Sequence, residues 1–390
     1  MRKLIENEYK VIGYPRLVRL NPNVPWKTRG NGAVSINFEG NNTKKVKQII
    51  EEVFDKYARF DDNKTNPGFV ILDKKPNFNI YKKSVKEIVT IEETEKLLES
   101  LGAVYKGYKN KRGLIGATAS IAWEPKQDKT YELIAYREKD RWGTERKVDC
   151  KSVKKMNESY SSTFDNFDYE NDHNRLVPSS PCPVLYGIRG DNVQDLEKAS
   201  SVLKSEKVYS KVIFKTNQGT DDHLEKKKIS EIIPYQSVIV EGIVTKVPHT
   251  IKGGHVIFSI KDSTGEIDCA AYEPTKQFRD VIRDLISGDK LIVYGGVRTK
   301  PLTINLEKIN IKHLEKQLIK IENPVCPKCG KHMKSKGAGQ GFKCIKCGTK
   351  SNNPIVKERS RKIKTGFYEV PVCARRHLSK PLKRMNHKAF

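Results

Sequence analysis

An α+β multidomain fold is predicted from three observations. At 390 residues the chain is longer than one hydrophobic core usually fills, so roughly two to four domains are expected. Segments of helical and strand periodicity alternate up to about residue 230, whereas from Ile232 onward the pattern is that of short strands alone. Two Cys-x-x-Cys-Gly knuckles, Cys326/Cys329 and Cys344/Cys347, then mark a compact metal module.

The most informative segment comes early. Arg16 to Val34, reading RLVRLNPNVPWKTRGNGAV, packs Arg16, Arg19, Lys27 and Arg29 around Pro, Asn and a Gly30-Asn31-Gly32 turn. Cations beside a glycine-rich turn suit phosphate. Ala33 to Glu39 then alternates like a strand, and Thr43 to Phe60 carries Val46, Ile49, Ile50, Val53, Phe54 and Tyr57 at helical spacing, which together make a βα unit. Asn66-Pro-Gly leads into a short apolar strand, Phe69 to Leu72. A helix is predicted over Ile91 to Leu101, with Gly102 as its stop. Gly113 to Trp123 and Thr130 to Arg137 read as a glycine-rich apolar helix and a strand.

Tyr160 to Asp191 is polar, aromatic and proline-punctuated, too irregular for regular structure until a strand begins at Val184; loops of this length are often functional. Asn192 to Leu203 reads as a helix. Lys211 to Thr216 reads as a strand, ending in a cluster of polar side chains from Asn217 to Asp222. Five strands follow, Ser237 to Val247, His255 to Lys261, Ile267 to Tyr272, Leu291 to Val297 and Thr303 to Ile311, with a helix-like stretch, Thr275 to Ile286, between the third and fourth. That is the OB-fold arrangement. Such barrels hold nucleic acid by a basic groove and stacking aromatics, and Lys246, Lys252, Tyr272, Arg298 and Lys300 are the candidates. Each alone reads more readily as an ordinary surface residue.

Charge and cysteine usage narrow the class. Lys plus Arg number 74 against 47 acidic residues, and the resulting +27 recurs along the whole chain, so a polyanionic partner is expected. No stretch approaches the roughly 18 apolar residues of a membrane span, and the first residues lack a signal-peptide pattern, so a cytoplasmic protein is expected. Four thiolates from the two knuckles complete a closed tetrahedral zinc site, structural and not catalytic. Lys343 and Lys346, among other lysines, make that ribbon a cationic finger suited to RNA. From Lys357 the tail adds a further run of Arg and Lys. Phe367, Tyr368, Val370 and Leu378 give it enough apolar content to dock.

In order, RLNPNVPWKTRGNG, GLIGATASIAW, TYELIAYR, NRLVPSSPCPVLYGIRGD and TNQGTDDH precede the barrel and the four-cysteine ribbon. This ordered set resembles the archaeal tRNA agmatinylcytidine synthetase family over nearly the whole chain. The resemblance implies a kinase-like catalytic domain in residues 1–88, extended by part of 139–230. It further implies a ferredoxin-like domain with its connecting region in 89–230, an OB fold in 231–315, a zinc ribbon in 318–352 and a basic tail in 353–390. It implies that ATP, with Mg2+, phosphorylates the carbonyl oxygen of the wobble cytosine in the CAU-anticodon isoleucine tRNA, that agmatine's primary amine displaces the phosphate, and that ATP ends as AMP. For that chemistry Arg16, Arg19, Lys27 and Arg29 are the catalytic candidates, and Gly30, Asn31 and Gly32 the ATP-binding ones. Asp165, Asp168 and Asp221 are candidates for dicationic agmatine, each equally readable as a turn aspartate, and Asn217, Gln218 and Thr220 for a substrate loop or a strand-end cap. The family opens with a strand running into a G-x-D-D-T-D-S motif. Met1 to Lys10 resembles the end of the helix after it and the start of the next strand, so the chain is expected to be N-terminally truncated, and a catalytically incomplete tRNA-binding protein is the alternative.

Overall fold

The structure, a computed structural model, describes residues 1–27, 30–40, 42–125 and 128–385. Its centre is a six-stranded sheet built from β1 (Arg16–Arg19), β2 (Gly32–Ser35), β3 (Thr130–Arg137), β4 (Thr163–Phe164), β5 (Val184–Gly190) and β6 (Val208–Thr216), in the order β2-β1-β6-β3-β5-β4. β1 lies parallel to the end of β6, with Lys215 opposite Arg16 and Thr216 opposite Leu17; all other neighbours are antiparallel. The sheet therefore takes strands from both sides of the boundary expected at residue 88, and joins the cationic segment to the polar strand end at 217–222.

The helices around this sheet form for local reasons. α1 (Thr43–Tyr57) starts where Asn42 accepts a hydrogen bond from the Lys45 amide (3.0 Å) and buries Val46 and Ile49 against Leu4 and Tyr9. α2 (Asn79–Lys86) was not expected; its Ile80, Tyr81 and Val85 are buried against Val18 and Trp123. α3 (Ile91–Ser100) is capped by the Thr90 hydroxyl and ends at Gly102, whose φ of +62° is the left-handed conformation glycine adopts freely. α4 (Gly113–Ala122) is apolar on all sides and correspondingly buried between the sheet and the short Gly68–Ile71/Val104–Gly107 strand pair. α5 (Cys150–Ser159), also unexpected, has Asp149 as its cap and buries Val153 and Met156 beneath α6 (Val193–Val202), which Asn192 caps.

The barrel strands are β7 (Ser237–Ile251), β8 (His255–Lys261), β9 (Glu266–Ala271), β10 (Lys290–Thr299) and β11 (Leu302–His313), with α7 (Phe278–Arg283) between β9 and β10, as the strand spacing predicted. β11 pairs with both β9 and β10, β7 closes on β10, and Val240, Phe258, Cys269, Ile282, Leu291 and Ile309 are fully buried inside. The tail docks. β12 (Gly366–Glu369) adds to β11 with Tyr368 opposite Ile309, and the chain then crosses back to the six-stranded sheet, where Leu378 is 2% exposed in the core of Val18, Ile80 and Trp123.

Candidate active site

The cationic segment divides its side chains between scaffold and site. Arg16 donates to the carbonyl oxygens of Ile121 (3.1 Å) and Trp123 (2.9 Å), satisfying groups that the end of α4 leaves unpaired. Arg19 points inward. Its Nη1 donates to the Gly30 carbonyl (3.2 Å), and burial lowers its pKa to about 10, with Glu132 opposing that shift and Arg189 adding to it. A Cβ on Gly30 or Gly32 would lie 2.8 or 3.0 Å from Arg19 Nη1, so the Gly-Asn-Gly turn is shaped by the guanidinium beneath it. Asn31, at φ +36°, donates from Nδ2 to the Asn21 carbonyl (2.8 Å). Arg29 lies outside the described residues.

Between this turn, the 64–68 loop and the start of α4 lies a cleft of about 360 Å³. Trp26, Lys27, Asn31, Gly32, Lys64, Ser84, Glu87 and Arg112 line it, so three cations face a single carboxylate among the described lining residues. Burial lowers the pKa of Lys27, with Arg376 adding to the shift, and burial lowers that of Arg112. Gly113 belongs to packing: a Cβ there would stand 2.4 Å from the Gly68 nitrogen.

The strand end after β6 is a buried polar layer. Asn217 clamps β1, accepting from the Arg19 amide (2.7 Å) and donating to the Arg19 carbonyl (2.8 Å) and to Tyr81 Oη (2.8 Å), which itself donates to Asp222 (2.6 Å). Gln218 donates to Glu132 Oε2 (2.5 Å), whose Oε1 accepts from Arg189 (3.2 Å). Thr220 closes the turn by donating to the Asn217 carbonyl (2.8 Å).

Asp165, Asp168 and Asp221 all meet partners from the tail. Asp165 pairs with Arg375, which also pairs with Glu369 at 2.5 Å. Asp168 accepts from the Cys373 amide (2.9 Å) and from the amide and side chain of Asn171 (3.1 and 3.0 Å). Burial alone would raise its pKa, and those donors outweigh it, leaving it below the ordinary carboxylate range. Asp221 accepts from Lys308 Nζ (2.6 Å) and from the Lys380 amide (2.7 Å). Sequence reasoning missed Glu132, Arg189, Arg375 and Lys308. Glu132 stood out only as an acid inside the apolar strand TYELIAYR, and Arg375 only as one cation of the basic tail.

On the barrel, Arg298 donates to Tyr272 Oη (2.7 Å) and lies 5.3 Å over its ring, while Lys246 pairs with Glu266 at 2.9 Å. Lys252 and Lys300 are exposed on the same module, and Lys343 and Lys346 on the ribbon. The four sulfurs of Cys326, Cys329, Cys344 and Cys347 all lie within 4.8 Å of one another, the contacts running 3.3, 3.4 and 3.7 Å. Disulfides need about 2.05 Å. Edges of a tetrahedron with Zn–S of about 2.3 Å are about 3.7 Å, so the set fits structural zinc.

Family models match along the chain: the TiaS TCKD domain over residues 1–49 and 39–110, the TiaS FLD domain over 111–223, an OB-fold nucleic acid binding domain over 238–315, and the TiaS C-terminal zinc ribbon domain over 323–363. The 2-agmatinylcytidine synthetase TiaS of Methanocaldococcus jannaschii, which acts on isoleucine-2 tRNA, is 48% identical, over 97% of this chain and 93% of its own. That of Archaeoglobus fulgidus is 46% identical, over 97% and 90%. Among solved structures, the complex of TiaS with isoleucine-2 tRNA and ATP superposes with a TM-score of 0.89 at 45% identity, covering 100% of this chain and 93% of that one. The complex of TiaS with isoleucine-2 tRNA, AMPCPP and agmatine gives 0.87 at 42%, covering 100% and 92%.

Proposed function

The chain belongs to the TiaS family of tRNA 2-agmatinylcytidine synthetases, and from that premise we propose that it uses ATP to join agmatine to the wobble cytidine of the CAU-anticodon isoleucine tRNA. The observation that carries this is likeness over the full length to an enzyme solved with isoleucine-2 tRNA, AMPCPP and agmatine together. In the reaction a phosphoryl group passes from ATP, with cleavage of the P–O bond that holds it there, to the carbonyl oxygen at C2 of cytosine. Agmatine's amine attacks C2, the C–O bond breaks, phosphate leaves with the oxygen, and the nitrogen loses a proton.

The chain's own residues supply charge and position. Lys27 and the backbone of Gly30, Asn31 and Gly32 take the nucleotide phosphates, with Arg19 as a fixed cation under the turn and Arg29 from the same loop; such preorganised charge is the main lever in phosphoryl transfer. Arg16 positions β1 through its bonds to α4. Asp165, Asp168 and Asp221 match agmatine's two cations, and the donors they hold here, a guanidinium and an ammonium among them, are of the kind agmatine offers. Asn217, Gln218 and Thr220 hold the turn between nucleotide and amine. Protein-held magnesium does not fit the described residues: Glu87 alone lines the cleft with a carboxylate, so the ion would enter on ATP. Lys246, Lys252, Tyr272, Arg298, Lys300, Lys343 and Lys346 take the RNA backbone. No described helix is long and apolar enough to cross a membrane.

The test is transfer of radiolabelled agmatine to a transcript of that tRNA, with ATP present or omitted. ATP-dependent label on the CAU transcript and none on a UAU transcript is expected. Tight tRNA binding with no label transferred would instead select the binding-only reading.

A further inference from the structure

Trp26 is unusual in its surroundings. It keeps 53% of its surface exposed, whereas Trp123 nearby is 1% exposed. Its ring is nonetheless held in place: the Arg112 guanidinium lies 4.7 Å over it, and Tyr235 is tilted against it at 6.5 Å. A guanidinium can cover only one face of a ring. The cleft beside Trp26 is apolar on its inner side, where Val89 and Ile115 are 3% and 8% exposed. It also contains Ser84, 5% exposed, whose hydroxyl finds no hydrogen-bond partner among the described residues. An unpaired buried hydroxyl is costly, and in native proteins such a group ordinarily has a partner that the bare chain does not show.

A flat exposed ring, an apolar slot and an unpaired hydroxyl, with the Glu87 carboxylate in the same lining and Lys27 alongside, describe a receptor for a planar heterocycle carrying phosphate. We infer that Trp26 is the stacking platform for a nucleobase, with Ser84 and Glu87 as acceptors for an exocyclic amino group. Carboxylates accept from such amino groups on cytosine, and adenine presents the same donor; uracil presents a carbonyl oxygen in its place. The inference deepens the proposed function, which supplies the two sources, the adenine of ATP and the wobble cytosine. Trp26 is thus a specificity-determining contact for one of the two nucleotide substrates.

Tryptophan fluorescence excited at 295 nm tests this directly, because the chain has 3 tryptophans and Trp142, 39% exposed, can be replaced by phenylalanine. In W142F the accessible emission comes from Trp26. ATP, the CAU transcript and its UAU counterpart are titrated separately. A quench by ATP assigns the platform to adenine, and a quench by the CAU transcript that exceeds the UAU one assigns it to the wobble base. W26F in the same background should abolish the quench while keeping affinity within a few-fold, and W26A should weaken that probe roughly 5- to 150-fold, the range for losing one base–aromatic stack. Absence of a Trp26-dependent quench by every probe, or W26A binding all of them as tightly as wild type, overturns the inference. If agmatine is still transferred in that case, the proposed function stands without it. A Trp26-dependent quench with no agmatine transfer does the reverse.

Discussion

Replacing Arg375 by alanine asks whether the C-terminal segment is held as firmly as its contacts suggest. Arg375 is 5% exposed and bridges Asp165, 9% exposed, to Glu369, 15% exposed. Removing the guanidinium leaves two carboxylates without their cation in a place water scarcely reaches, which costs about 3–5 kcal/mol when one partner of a buried pair is deleted. If that loss falls on local undocking, amide exchange across residues 366–385 accelerates roughly 150- to 5,000-fold. The pH dependence has a definite sign. Burial raises the Glu369 pKa and Arg375 opposes that rise, so in R375A the folded-state pKa climbs further above the unfolded one. Stability from such a group is present at low pH and lost as pH rises through the folded pKa, so the deficit should be larger at pH 8 than at pH 5. Guanidinium ion at millimolar concentration, far below denaturing levels, should restore part of the protection by refilling the gap. Wild-type exchange rates in R375A at pH 8 would refute the reasoning.

Three further outcomes are expected. In C344S, one zinc per chain should be lost and tRNA affinity should fall while ATP hydrolysis persists; undiminished tRNA binding would remove the ribbon from the interface. For Glu307, burial alone would raise the pKa, but His223, Arg376 and Lys308 hold it at about 2. This depressed acid contributes stability above about pH 4.5, lost as pH falls towards 2 and worth about 3 kcal/mol by linkage, so E307Q should show a flatter acid limb in thermal melts. Affinity for tRNA should fall steeply with salt, and K343A/K346A should shallow the log–log slope by roughly 0.7–0.9 for each phosphate no longer neutralised; an unchanged slope would exclude those lysines.

Local grammar was legible and long-range pairing was not. The barrel strands, α7 and the zinc knuckles could be read because strand alternation and Cys-x-x-Cys spacing are complete within a few residues. α2 and α5 escaped notice because only a few apolar positions, Ile80, Tyr81 and Val85 in one and Val153 and Met156 in the other, stand among lysines and polar residues. In the site, the Gly-Asn-Gly turn read as a phosphate cradle, yet its glycines also answer to Arg19, a constraint visible only once that side chain is seen to turn inward. The partners of Asp165 and Asp221 could not be anticipated. Arg375 lies 210 residues from Asp165 and Lys308 lies 87 from Asp221, and no periodicity links such positions.

The seam between β1 and β6 sets a timetable for synthesis. Arg16 and Leu17 wait for Lys215 and Thr216, so at about 5–20 residues per second the N-terminal hairpin spends roughly 10–40 s on the ribosome before its sheet neighbour exists. Leu378 arrives later still, and only then is the core around Val18 and Trp123 filled. Incomplete translation products that stop before residue 378 therefore carry an open apolar core at their N-terminal end, a mark by which proteases and chaperones can tell an unfinished chain from a finished one.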